Sequence, residues 1–115
     1  MRKWAYLAEP REYDGQQIYK VMIYEKEKEG TYVFLYNSPK TQICSIDEWY
    51  ESAVEATRAW EQYIKDGRWE MIDDPMPNCQ SDCILPIRVK GRDIGKPEWG
   101  RYEQFVDDNW IEYIE

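Results

Sequence analysis

Three features of the 115-residue sequence predict an α+β fold, with one helix packed on one face of a mainly antiparallel sheet. Several short runs are rich in β-branched and aromatic residues, which favour strands. One longer stretch repeats its apolar residues at about 3.6-residue spacing, the period of a helix. Short polar turns join neighbouring β runs in the manner of hairpins. The length suits a single domain over residues 1–115.

The elements follow in order. Trp4–Leu7 is an optional first strand, and residues 8–17 read as a polar connection. Ile18–Glu25 and Thr31–Tyr36 are strands joined by Lys26-Glu27-Lys28-Glu29-Gly30, a first hairpin. Asn37-Ser38-Pro39-Lys40 breaks the pattern. Ser45-Ile46-Asp47-Glu48 then has the form of a capping box, in which hydroxyl and carboxylate satisfy each other's backbone donors. A stripe follows at Ile46, Trp49, Ala53, Ala56, Trp60, Tyr63 and Ile64, with Asp47, Glu51, Glu55, Arg58, Gln62 and Lys65 opposite. Gly67 suits the position just past the helix end. The predicted helix therefore runs from about 46 to 66. Arg68–Ile72 is a short strand, and Pro75 and Pro77 make 73–78 a loop. Cys83–Lys90 is a strand that Pro86 confines to an edge or a bulge. Gly91–Gly100 is a connection, and Arg101–Val106 with Trp110–Ile114 forms a last hairpin. The expected order is β-β-α-β-β-β-β.

Composition excludes several functions. The chain has no histidine, so it holds no Ser-His-Asp triad, Cys-His pair or imidazole metal site. Its net charge of −8 argues against direct nucleic-acid binding, which needs a basic face. No apolar run approaches the ~18 residues of a membrane span, and the N-terminal residues lack a signal-peptide core. Three cysteines, Cys44, Cys79 and Cys83, have no framework spacing. A cytoplasmic protein with reduced thiols and no cofactor is expected.

The stretch from Ile18 to Pro77 resembles HicB-type antitoxin domains. The matching pieces are Tyr19–Tyr24, Tyr32–Tyr36, Ser45–Lys65 and Asp73-Asp74-Pro75-Met76-Pro77. The family's Pro-Gly-Cys-like turn before the helix is missing, and the C-terminus has no helix-turn-helix or ribbon-helix-helix pattern. The resemblance implies a sheet with one packed helix and a protein that blocks a partner.

The candidate sites are few. Asp73, Asp74 and Asp82 lie in one proline-rimmed region and could together hold Mg²⁺ or Mn²⁺; a solvated acidic loop is the favoured reading. Cys79 and Cys83 form a C-x3-C, which matches neither the usual redox spacing nor a four-ligand zinc site. Charge is uneven, −7 over Ser45–Asp82 and +3 over Ile84–Arg101. Arg88, Lys90 and Arg92 alternate, and on a strand they share one face. They could bind an acidic partner or balance the protein's own acids. The chain also has 18 aromatic residues, 10 Tyr, 6 Trp and 2 Phe. Trp49 and Trp60 are core candidates, whereas Trp99, Arg101, Tyr102 and Trp110 are interface candidates, since Trp, Tyr and Arg are enriched at binding surfaces. The leading expectation is a non-catalytic protein that acts through a protein partner or as a homodimer. The alternatives are a metal-dependent hydrolase or nuclease using the three aspartates, and an acidic nucleic-acid mimic presenting Asp47, Glu51 and Glu55.

Overall fold

The structure is a computed structural model and describes residues 1–114. The fold is α+β, with antiparallel sheets and one short α-helix. The chain gathers into two compact units, Met1–Asp73 and a second from Asp74 onward.

The first unit is built on five strands: β1 (Arg2–Tyr13), β2 (Gln16–Lys26), β3 (Gly30–Tyr36), β4 (Ile46–Tyr50) and β5 (Glu70–Ile72), in the sheet order β4-β3-β2-β1-β5. The helix α1 (Ala53–Trp60) lies on one face. Ala5, Val21, Ile23, Val33 and Leu35 of the strands cluster there with Ala56, Trp60 and Ile64. Ala56 is fully buried, because a methyl side chain lets the helix backbone approach the sheet closely. The expected hairpin is present as β2 and β3, paired from Lys20↔Tyr36 to Lys26↔Gly30. Its outer face carries Tyr24, Tyr32, Phe34 and Tyr36, with Tyr32 and Phe34 stacked at 6.2 Å.

In the first unit, two stretches differ from expectation. Residues 8–13 are not a loop, since β1 continues to Tyr13 and turns into β2 through Asp14-Gly15, both at positive φ. That is the geometry of a two-residue hairpin turn. The helix is also much shorter than 46–66. Ile46–Tyr50 is the edge strand β4, paired with β3 from Leu35↔Ile46 to Thr31↔Tyr50. The residues of this segment fit a strand as well as a helix, and pairing satisfies the backbone of β3. The helix instead starts at a second box: the Ser52 hydroxyl accepts from the Glu55 amide at 3.2 Å. It stops as an α-helix at Trp60, passes through a 3-10 turn at Glu61–Tyr63, and breaks at Ile64, which is extended and bridges Leu7 of β1. Trp49 consequently leaves the expected core and is 54% exposed, while Trp60 is buried.

The second unit carries a three-stranded antiparallel sheet, β6 (Ile87–Val89), β7 (Tyr102–Val106) and β8 (Asn109–Tyr113), in that order. Of the strand expected over Cys83–Lys90 only β6 forms; it begins directly after Pro86, which has no amide donor for a ladder, and ends before Lys90 enters a turn. The last hairpin turns through Asp107 and Asp108, both left-handed. Ile87 and Val89 are buried. No helix among the described residues is long and apolar enough to cross a membrane.

Candidate functional site

The second unit gathers most of the interface residues expected from sequence, but it neutralises much of their charge. Register places Arg88 of β6 opposite Glu103 of β7, and Glu103 opposite Glu112 of β8. Arg88 Nε donates to Glu103 Oε1 at 3.2 Å, and its Nη2 lies 3.6 Å from Asp93. Its guanidinium stacks 3.7 Å from the centre of the Trp110 ring, which also packs on Phe105 at 5.1 Å. Arg101 pairs with Glu98 at 3.2 Å and Glu112 at 3.7 Å. The expected basic row is broken as well. The strand β6 ends at Val89, Gly91 turns left-handed, and Arg92 falls in a 3-10 turn where it donates to Gln80 at 3.0 Å. A Cβ at Gly91 would stand 2.2 Å from the Lys96 carbonyl oxygen, so this tight turn excludes a strand across 88–92. Lys90 is held by its backbone, donating to Arg101 O and accepting from the Glu98 amide.

Among charged and polar neighbours, the unit also exposes large apolar side chains. Trp99 is 76% exposed and Ile111 49% exposed. Tyr102 and Trp110 are half-buried. The β8 strand forms one edge of its sheet.

Asp73 ends the first unit, where its carbonyl oxygen accepts from Arg2 Nε at 2.7 Å; Asp74 is exposed and Asp82 buried. Among the described residues no group of three His, Cys, Asp or Glu side chains is placed to hold an ion. Cys44 and Cys79 are half-buried and Cys83 is buried.

A second cluster, which the sequence reading missed, lies in the first unit. In β1, Leu7, Ala8, Glu9 and Pro10 stand against Tyr19 alone, between the pairs Tyr6↔Lys20 and Arg11↔Ile18. A bulge bends a strand, and the far end of β1 crosses toward β4 although β2 and β3 separate them in the sheet. Tyr13 thereby packs edge-on to Trp60 at 5.3 Å, and Tyr63 packs edge-on to Trp60 at 6.0 Å. The Arg11 guanidinium sits inside this box, 4.0 Å from the Tyr63 ring centre, 4.9 Å from Trp60 and 5.5 Å from Tyr13. The Tyr13 hydroxyl donates to Glu48 Oε2 at 2.5 Å. That bond to a carboxylate, with burial second, pushes the Tyr13 hydroxyl up to about 12. Burial also raises the neighbouring Tyr50 hydroxyl. The other Glu48 oxygen, Oε1, is buried and has no hydrogen-bond partner. The sequence signals were Arg11-x-Tyr13 and Trp60-x-x-Tyr63, but only the folded sheet brings Glu48 to them.

The site types are thus an aromatic box around a cation and a sheet edge with exposed apolar residues. Comparison with protein-family models, curated proteins and solved structures finds no match for the chain.

Proposed function

We propose that this is a non-catalytic, cytoplasmic interaction protein that associates with a second copy of itself along β8. The exposed apolar edge of the second sheet carries the reading. An edge strand offers a row of backbone donors and acceptors to another chain unless proline, lysine or a bulge blocks it. The β8 strand, Asn-Trp-Ile-Glu-Tyr, has no proline, lysine or bulge, and its one charge, Glu112, is paired with Arg101. Antiparallel pairing of two copies about Ile111 sets Ile111 against Ile111 and Trp110 against Glu112, a self-complementary two-fold contact. The exposed Trp99, two residues before the Arg101 that reaches Glu112, extends the apolar surface. The resemblance to HicB-type antitoxin domains also favours an interaction protein. Three cysteines without framework spacing suit a reducing compartment.

Sedimentation velocity tests the reading. A dimer is expected at micromolar concentration. It should persist at high salt, because Arg88 and Arg101 are already ion-paired within their own unit. Ile111→Lys should give a folded monomer, since two lysines would then face each other across the axis. A wild-type monomer, or a dimer indifferent to Ile111→Lys, refutes it.

A further inference from the structure

The Arg11 box has the composition of a cation receptor. Aromatic faces carry negative potential and attract cations within about 6 Å of the ring centre, a distance met by all three rings. Their mutual angles, 62° between Tyr13 and Trp60 and 65° between Trp60 and Tyr63, turn the rings into walls around one point rather than a flat stack. A carboxylate stands at the Tyr13 edge and brings a full negative charge. Its Oε1 is a buried acceptor lacking a donor, a state that costs free energy until a positive group approaches.

Arg11 fills the box without being fixed there. Among the described residues its guanidinium makes no hydrogen bond and no ion pair; ring faces alone hold it. Its backbone is paired with Ile18 directly after the bulge, so only the side chain has to swing for the guanidinium to leave the box. A guanidinium suits such a box because it is weakly hydrated, whereas a bare lysine ammonium holds its water strongly. Methylation likewise strips an ammonium of its hydrogen-bonded water while keeping its charge.

We propose that Tyr13, Trp60 and Tyr63, with Glu48 at the rim, form a binding site for a methylated ammonium group, and that Arg11 is the internal occupant which that group displaces. The ligand chemistry is shared by methylated lysine side chains and by small quaternary ammonium metabolites.

The test is titration of the full chain with tetramethylammonium chloride against sodium chloride at equal ionic strength, followed by NMR at the Trp60 indole and the Arg11 Nε. In the wild type the ligand should move the Arg11 signal from its ring-shifted position toward that of a free arginine. Arg11→Gln, which keeps most of the stem but removes the charge, and Arg11→Ala should each bind roughly tenfold more tightly, because the internal competitor is gone. Adding Tyr63→Leu to either should abolish the gain. A neutral tert-butyl isostere should bind more weakly than the cation. A trimethyllysine peptide that binds more tightly than tetramethylammonium assigns the site to a protein ligand; equal binding assigns it to a small metabolite. If the wild-type Arg11 signal does not move, or if folded Arg11→Gln binds the isostere as well as the cation, the proposal is overturned.

Discussion

The bond from Tyr13 to Glu48 sets up a prediction whose sign and size come from the geometry. The neutral phenol donates to a carboxylate, while the phenolate would face it as a like charge. The folded protein therefore raises the Tyr13 hydroxyl from 10.0 to about 12. A group whose folded value exceeds its unfolded value contributes stability that is complete below the unfolded value. That contribution is lost as pH climbs through the folded one. For Tyr13 the window is about pH 10 to 12. Two pH units correspond to roughly 3 kcal/mol at about 1.36 per unit, and screening at this half-exposed site lowers that to about 1–2 kcal/mol. Tyr13→Phe should then cost about 1–2 kcal/mol at pH 8, measured by urea unfolding, and the gap to wild type should narrow steadily above pH 10. Glu48→Gln should restore a more ordinary tyrosine titration, read by phenolate absorbance. A Tyr13→Phe protein as stable as wild type at pH 8, or a gap that does not shrink with pH, refutes the reasoning.

Other perturbations follow from single contacts. Arg88→Lys keeps a charge but loses the planar stack on Trp110 and the fork toward Glu103 and Asp93; it should lower stability by about 1–3 kcal/mol in thermal unfolding, with fluorescence of Trp110 altered. Gly30→Ala meets two obstacles, a φ of +100° and a Cβ only 2.4 Å from Trp49 Nε1. The Trp49 ring must move, breaking its 2.9 Å bond to the Glu29 carbonyl, so a loss of about 1–3 kcal/mol is expected from the melting temperature. Ser52→Ala should cost about 1 kcal/mol by removing the cap of α1, whereas Ser45→Ala should cost less, a comparison that circular dichroism melts can make.

The fold class and the central hairpin were legible because β2 and β3 are dense in β-branched and aromatic residues and joined by a glycine-ended turn. The helix start was misread because the sequence offers two boxes, Ser45-Ile46-Asp47-Glu48 and Ser52-Ala53-Val54-Glu55, and local capping energies cannot choose between them. The choice is made by pairing with β3, a contact distant in sequence. Alternation supports this outcome: Ile46 and Tyr50 pack against the helix-side core, while Trp49 turns away. The Tyr13-Asp14-Gly15-Gln16 turn did carry a hairpin signal, masked by the polar residues around it. Trp60 in the core was readable from helical spacing. The aromatic box was not, because Glu48 joins Tyr13 only through a bent β1.

The charge contrast along the chain shows how composition can mislead about partners. A +3 segment following a −7 segment suggests two complementary patches. In the folded second unit, Arg88 and Arg101 each face two carboxylates inside the same unit: Glu103 and Asp93 for the first, Glu98 and Glu112 for the second. Two of those acids come from the last hairpin, beyond or at the margin of the segment that looked basic. Burial explains the tighter arrangement at Arg88. Its side chain is only 12% exposed, so an unpaired charge there would be costly, and both a carboxylate and the Trp110 face are needed to hold it. The same pairing removes Arg88 and Arg101 from the charge that could attract an acidic partner. The association proposed along β8 draws on backbone pairing and apolar contact, which is why salt independence separates this mode from a charge-driven one.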